Sequence, residues 1–268
     1  MARIRVRIPS LLALTAALVL VAGCGDGGGS PAAKSGGDDR PGAPKVVVTT
    51  TWEGAFAKAA GAEDVTVIVP QSVHHAPDYD PKPSDLAAVA EADFVLYAPF
   101  EPYAEKIKEA AGSDAELVEV ALDNDAAKVK AEVKRLAGKF GTEKAASGWT
   151  AAFDTEYAKL GAELKAAWPG GKSPAVVSQV FTTWAASMAG ATTVGTYGPE
   201  AVTPAQLADL AKKKPALVLD NAHMSTGTVL PDAGAAQVKI VNYPGEELDL
   251  LTVYRDAAAE LKKAMAAL

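Results

Sequence analysis

Short β-branched runs alternate with helically spaced apolar residues along most of the chain, and Gly, Pro and Asp separate them. Lys45–Thr51 (KVVVTTT) reads as a buried strand, and Trp52–Gly61 continues with helical spacing. Val65–Val69 (VTVIV) is a second strand, stopped by Pro70. Pro83-Ser84-Asp85 then opens a helix for which Ser84 is the expected N-cap. Phe94–Ala98 (FVLYA) and Glu116–Ala121 (ELVEVA) are further strands on either side of a helix at Tyr103–Ala111. From Asp125 to Trp168 the pattern becomes alanine- and lysine-rich. It predicts a helix pair broken near Gly138–Gly141, whose long second member, about Thr142–Trp168, stops at Pro169-Gly170-Gly171. The strand rhythm returns at Ala175–Val180, Thr192–Thr196, Ala216–Asp220 and Val238–Asn242, with helices near Trp184–Ala189, Thr203–Lys213 and Leu250–Leu268.

Strands alternating with helices imply parallel sheets. The expected fold is α/β: two lobes, each with a central, mostly parallel sheet flanked by helices, joined by a long interlobe helix. The boundaries fall at 45–124 for the first lobe, 125–171 for the linking helices and 172–268 for the second lobe.

Residues 1–44 follow a different pattern. Arg3, Arg5 and Arg7 precede an apolar run from Leu11 to Val21 that is too short to span a bilayer, and Val21-Ala22-Gly23 leads into Cys24. This reads as a signal peptide over 1–23. The single cysteine of the chain follows the small residues as in a bacterial lipobox, where it carries a lipid after cleavage; an ordinary secretion signal is the alternative. Residues 24–44, rich in Gly, Ser, Pro and Asp, have little to bury and read as a flexible tether. The body is thus expected outside the cytoplasm, held to the bacterial cell membrane by a lipid on Cys24.

Composition narrows the chemistry. Of 268 residues, 26 are Lys or Arg and 33 Asp or Glu, and the net charge of −7 argues against a nucleic-acid partner. One cysteine excludes a disulfide framework and a cysteine-rich zinc site. No G-x-S-x-G elbow, P-loop or H-E-x-x-H motif is present, and the chain is read as a non-enzyme; an extracellular metal-dependent hydrolase is the least favoured alternative.

In open α/β sheets the ligand crevice lies beyond the carboxyl ends of the strands. Those positions hold Trp52-Glu53, His74-His75, Phe100-Glu101 and Asp123 in the first lobe, and Gln179, Tyr197, His223 and Asn242 in the second. All three histidines of the chain follow strands, and they come from both lobes. Imidazoles and carboxylates converging on one cleft suit a transition metal, zinc above all. Each also has a structural alternative: His74-His75 as an exposed loop, His223 as a satisfied loop residue, Glu53 and Glu101 as helix caps.

The stretch from His75 to Leu86 (HAPDYDPKPSDL), followed by AEADFVLY, resembles the first-lobe signature of metal-binding lipoproteins of ABC importers, the zinc/manganese or cluster A-I family of solute-binding proteins. Tyr79-Asp80-Pro81 and Pro83-Ser84-Asp85 supply its aromatic–acid–proline run and helix start, and Asn242-Tyr243-Pro244-Gly245 its ending. The chain departs from the family in four ways. The gap between the histidines and Tyr79 leaves His74 and His75 inseparable by alignment. A family histidine after the fourth strand is replaced by Leu122-Asp123-Asn124-Asp125. Another, after the first strand of the second lobe, is replaced by Gln179. The usual His-rich acidic loop is absent.

The resemblance implies a monomeric receptor that captures a divalent ion between the lobes and delivers it to a membrane permease. Zn2+ is favoured over Mn2+, because imidazoles suit zinc while manganese takes more oxygen. The expected ligands are His75, His223 and Glu101. Glu53, Asp220, Asn242 or water competes for a fourth position. The runner-up is a receptor for a metal chelate such as a siderophore or corrinoid, with Trp52, Phe100, Phe181 and Trp184 as its aromatic contacts.

Overall fold

The computed structural model describes residues 43–70, 73, 78–225 and 227–268. The expected leader, Cys24, the part of the expected tether before residue 43 and the pair His74-His75 lie outside the described residues. The first sheet contains β1 (Lys45–Val48), β2 (Asp64–Val67), β3 (Phe94–Tyr97) and β4 (Glu116–Glu119), in the order β2-β1-β3-β4. The second contains β5 (Ala175–Gln179), β6 (Thr192–Tyr197), β7 (Leu217–Asn221) and β8 (Ala236–Ile240), in the order β6-β5-β7-β8. Every pairing is parallel, so all carboxyl ends within a sheet share one edge. The central strands are the most apolar: β1 buries Val46, Val47 and Val48, and β7 is buried along its whole length.

Eight α-helices connect the strands among the described residues: α1 (Thr51–Ala59), α2 (Pro83–Ala90), α3 (Ala104–Ala110), α4 (Ala126–Phe140), α5 (Glu143–Ala166), α6 (Thr183–Met188), α7 (Pro204–Ala211) and α8 (Leu250–Ala266). Local chemistry accounts for several boundaries. β1 is shorter than its β-branched run because Thr50 caps α1: its hydroxyl accepts from Trp52 N, while the Glu53 carboxylate takes the Thr50 N–H in return. Gly141, with φ of 70°, closes α4, and the long helix α5 starts two residues later.

Ser84 is not the N-cap of α2. Lys82 holds that position because Pro83, with its fixed φ and no N–H, fits the first helical residue. The Asp85 carboxylate then accepts from Lys82 N at 2.8 Å and from the Tyr79 hydroxyl at 2.7 Å. The Tyr79–Asp85 motif therefore staples the start of this helix.

The two sheets share one apolar core. It runs from one face of the first sheet through α1, α4, α5, α6 and α8 to the facing side of the second sheet; each sheet has a smaller cluster on its other face. The last helix of the second lobe reaches the first, since α8 packs on both α5 and α1. At this junction Tyr254 is fully buried. Its ring meets Phe153, Tyr157 and Trp184 with centroids 5.1–5.8 Å away, and its hydroxyl donates to the Asn124 carbonyl at 2.9 Å. Tyr254→Phe should therefore cost about 1–2 kcal/mol by leaving that carbonyl unmatched. Tyr254→Ala should cost about 3–5 kcal/mol by opening a cavity. Urea unfolding of the two variants against wild type measures both, and equal losses would contradict the assignment.

Candidate functional site

In each lobe the strand order reverses direction between two adjacent strands, β1 and β3 in the first and β5 and β7 in the second. The loops leaving such a pair diverge and open a crevice. In the first lobe this places Glu53, after β1, next to Glu101, after β3. Glu53 is 0% exposed and Glu101 7%, with no lysine or arginine bonded to either among the described residues. Burial first, then the neighbouring Glu101 charge, pushes the Glu53 pKa up to about 8. Burial also raises that of Glu101, opposed by hydrogen bonds from Ala98 N at 3.0 Å and the Tyr103 hydroxyl at 3.1 Å. Both Glu101 oxygens are thus engaged, whereas Glu53 Oε1 has no hydrogen-bond partner among the described residues.

In the second lobe His223 follows β7, with its backbone N–H bound to Asn221 Oδ1 at 3.0 Å. Its ring stacks on Tyr243 at 3.7 Å, and Tyr243 lies 5.8 Å from Trp52 of the first lobe. The imidazole still reaches solvent, but the surrounding protein desolvates it and holds its pKa below the ordinary histidine value. Its ring nitrogens make no hydrogen bond among the described residues. This is a neutral imidazole with a free lone pair, beside the contact between the lobes. Tyr243, which fixes the ring plane, was not singled out as a contact by the sequence; the available signal was an aromatic residue directly following a strand-end asparagine.

The other candidates are occupied. Asp220 accepts from the Tyr197 hydroxyl at 2.7 Å, the Ser225 hydroxyl at 2.6 Å and Gln237 Nε2 at 3.0 Å. Asn242 Oδ1 takes Trp184 Nε1–H at 2.9 Å, and its backbone carbonyl accepts from Asn124 Nδ2 at 2.6 Å. Gln179 Oε1 holds Phe181 N–H at 2.6 Å, and Asp123 pairs with Lys128 at 2.6 Å. Among the described residues no three His, Cys, Asp or Glu side chains gather as a metal group.

Between the lobes lies a cleft of about 290 Å³. Trp52 and residues 122–125 of the first lobe line one side, and Phe181, Thr183 and Trp184 of the second line the other. Trp52 Nε1 and Asn124 Oδ1 in its walls lack hydrogen bonds among the described residues.

The acid pair gives a signed pH dependence. Glu53 loses its proton near 4.5 when unfolded and near 8 when folded, so between those values only the folded state keeps it. Its contribution to stability is intact below about 4.5, declines as pH rises and is lost above about 8. Glu53→Gln removes the buried charge. It should flatten the decline and exceed wild type at pH 8.5 by on the order of 1–3 kcal/mol. Urea midpoints at pH 5 and pH 8.5 test this, and an unchanged slope would refute it.

Residues 46–144 match the family model of the zinc-uptake complex component A, periplasmic (ZnuA). No curated protein matches the sequence. Among solved structures, the laminin-binding protein Lmb of Streptococcus agalactiae, described as a bifunctional protein with adhesin and metal transporting activity, aligns with a TM-score of 0.62. It is 16% identical, over 83% of this chain and 99% of its own. FpvC of Pseudomonas aeruginosa, solved with Ni2+, aligns with a TM-score of 0.60 at 14% identity, over 84% of this chain and 96% of its own. AdcAII of Streptococcus pneumoniae aligns with a TM-score of 0.56 at 17% identity, over 81% and 98%. At these identities the structures establish the fold, while the match over 46–144 supplies the sequence signature. Together they agree with the resemblance to the zinc/manganese, or cluster A-I, solute-binding proteins: residues 46–144 match that sequence signature, and the two-lobed body has the fold of these structures.

Proposed function

We propose that this protein is an extracytoplasmic solute-binding lipoprotein, anchored through Cys24, that captures a divalent metal ion between its lobes and passes it to the permease of an ABC importer. It acts as a monomer and performs no catalysis. The observation that carries this reading is His223: a neutral imidazole with no hydrogen bond to its ring nitrogens among the described residues, stacked on Tyr243 beside the contact with the first lobe. A free imidazole lone pair is what a borderline metal ion requires. The match to a zinc-uptake family and the metal-bound state of solved relatives support the same cargo; FpvC structures hold Ni2+ or Mn2+, and one AdcAII variant is bound to Zn(II).

The proposed ligands are His75 from the first lobe and His223 from the second. Glu101 is third and must release Ala98 N–H or the Tyr103 hydroxyl in order to bind. Imidazole donors favour Zn2+, with Mn2+ second. With so few ligands, losing either histidine should weaken zinc binding tenfold or more. His74→Ala should bind like wild type. Competitive zinc titration of the three alanine variants tests the assignment. If His223→Ala binds normally, the cross-lobe site is wrong; if His74→Ala alone fails, the first-lobe ligand is His74.

A further inference from the structure

We propose that the cleft between the lobes is a binding site for a small organic cation of the ammonium class, separate from the metal ligands proposed above. It uses neither a histidine nor Glu101, and it stands or falls independently of the metal.

The cleft measures about 290 Å³, at the small end of the cavities that hold organic molecules, which begin at about 300 Å³. Trp52 and residues 122–125 form one side, and Phe181, Thr183 and Trp184 the other. Leu122-Asp123-Asn124-Asp125 is also where the family resemblance loses a histidine, so this wall is built from residues particular to this chain.

Three of the lining residues are aromatic, and contacts outside the cleft hold each of them. Trp184 Nε1 donates to Asn242 Oδ1 at 2.9 Å, Trp52 packs on Tyr243 at 5.8 Å, and Phe181 N–H is taken by Gln179 Oε1 at 2.6 Å. The Phe181 ring itself remains 49% exposed and open to a ligand. Aromatic rings carry negative faces, which attract an alkylated ammonium more strongly than a neutral group of the same shape.

The charged residues of the wall are Asp123, Asp125 and Lys128. Lys128 is paired with Asp123 at 2.6 Å. Asp125 Oδ1 caps α4 by accepting from Ala127 N and Lys128 N, while its Oδ2 makes no hydrogen bond among the described residues. Two carboxylates against one ammonium leave the wall negative, with no uncommitted cation to receive an anionic ligand. A neutral ligand would leave that charge uncompensated. An organic cation answers the rings and the carboxylate together.

The test is calorimetric titration of the full chain, kept metal-free with EDTA, using choline and its neutral isostere 3,3-dimethylbutan-1-ol, in which carbon replaces the charged nitrogen. Choline should bind about tenfold or more tighter than the isostere and quench tryptophan fluorescence. Phe181→Leu keeps apolar bulk without the ring and should weaken choline several-fold, whereas Phe181→Trp should retain it. Asp125→Asn removes the charge but keeps the helix cap, since asparagine caps as well as aspartate. It should weaken choline several-fold with little change in the urea midpoint. His223→Ala should bind choline like wild type. If choline does not bind, if the isostere binds as tightly, or if either Phe181→Leu or Asp125→Asn leaves the affinity intact, the proposal is overturned and the metal reading keeps its own test. If His223→Ala loses choline, the cation sits at the proposed metal site and a separate cleft site is refuted.

Discussion

The return of the last helix onto the first lobe governs the rest of the molecule. Because α8 packs on α1 as well as α5, the apolar faces of both sheets belong to one core and the lobes cannot separate without exposing it. Tyr254 concentrates this constraint, filling space between Phe153, Tyr157 and Trp184 while its hydroxyl reaches Asn124 across 130 residues of sequence. The cleft above is therefore framed by a rigid base.

Parallel pairing supplies the second condition. With the strand orders β2-β1-β3-β4 and β6-β5-β7-β8, each lobe directs its divergent loops, and hence its polar residues, to one edge. The first lobe concentrates acid there, with no lysine or arginine bonded to it among the described residues: Glu53 and Glu101 are buried together, and burial and the neighbouring carboxyl push the Glu53 pKa upward. The second lobe supplies a neutral imidazole and a set of amides and carboxylates bound to one another.

One departure from the family pattern has a visible structural consequence. Where the resemblance places a histidine after the first strand of the second lobe, Gln179 instead caps the turn into α6 through Phe181 N. Asn242, at the end of the second sheet, bonds Trp184 and Asn124. Gln179 and Asn242 thus hold Phe181 and Trp184, two residues of the cleft wall.

Much of this was legible in the chain. Runs such as KVVV and LVLDN, breakers such as Gly141 and the Pro83 start of α2 act over a few residues, so the alternation, the two parallel sheets and the long helix followed from local chemistry. So did the placement of Glu53, Glu101, Gln179, His223 and Asn242 after strand ends. The cap of α2 fell at Lys82 rather than Ser84 because proline's preference for the first helical position outweighs serine's for the cap. What each strand-end residue bonds was a different matter. That Glu53 adjoins Glu101 depends on β1 pairing with β3, that Asn242 is held by Trp184 depends on a contact spanning 58 residues, and that His223 lies flat on Tyr243 depends on where β8 ends. A side chain's propensity is a property of its neighbours along the backbone. Its hydrogen-bond partner, protonation state and availability to a ligand arise from groups brought beside it by packing, and these came into being only with the folded chain.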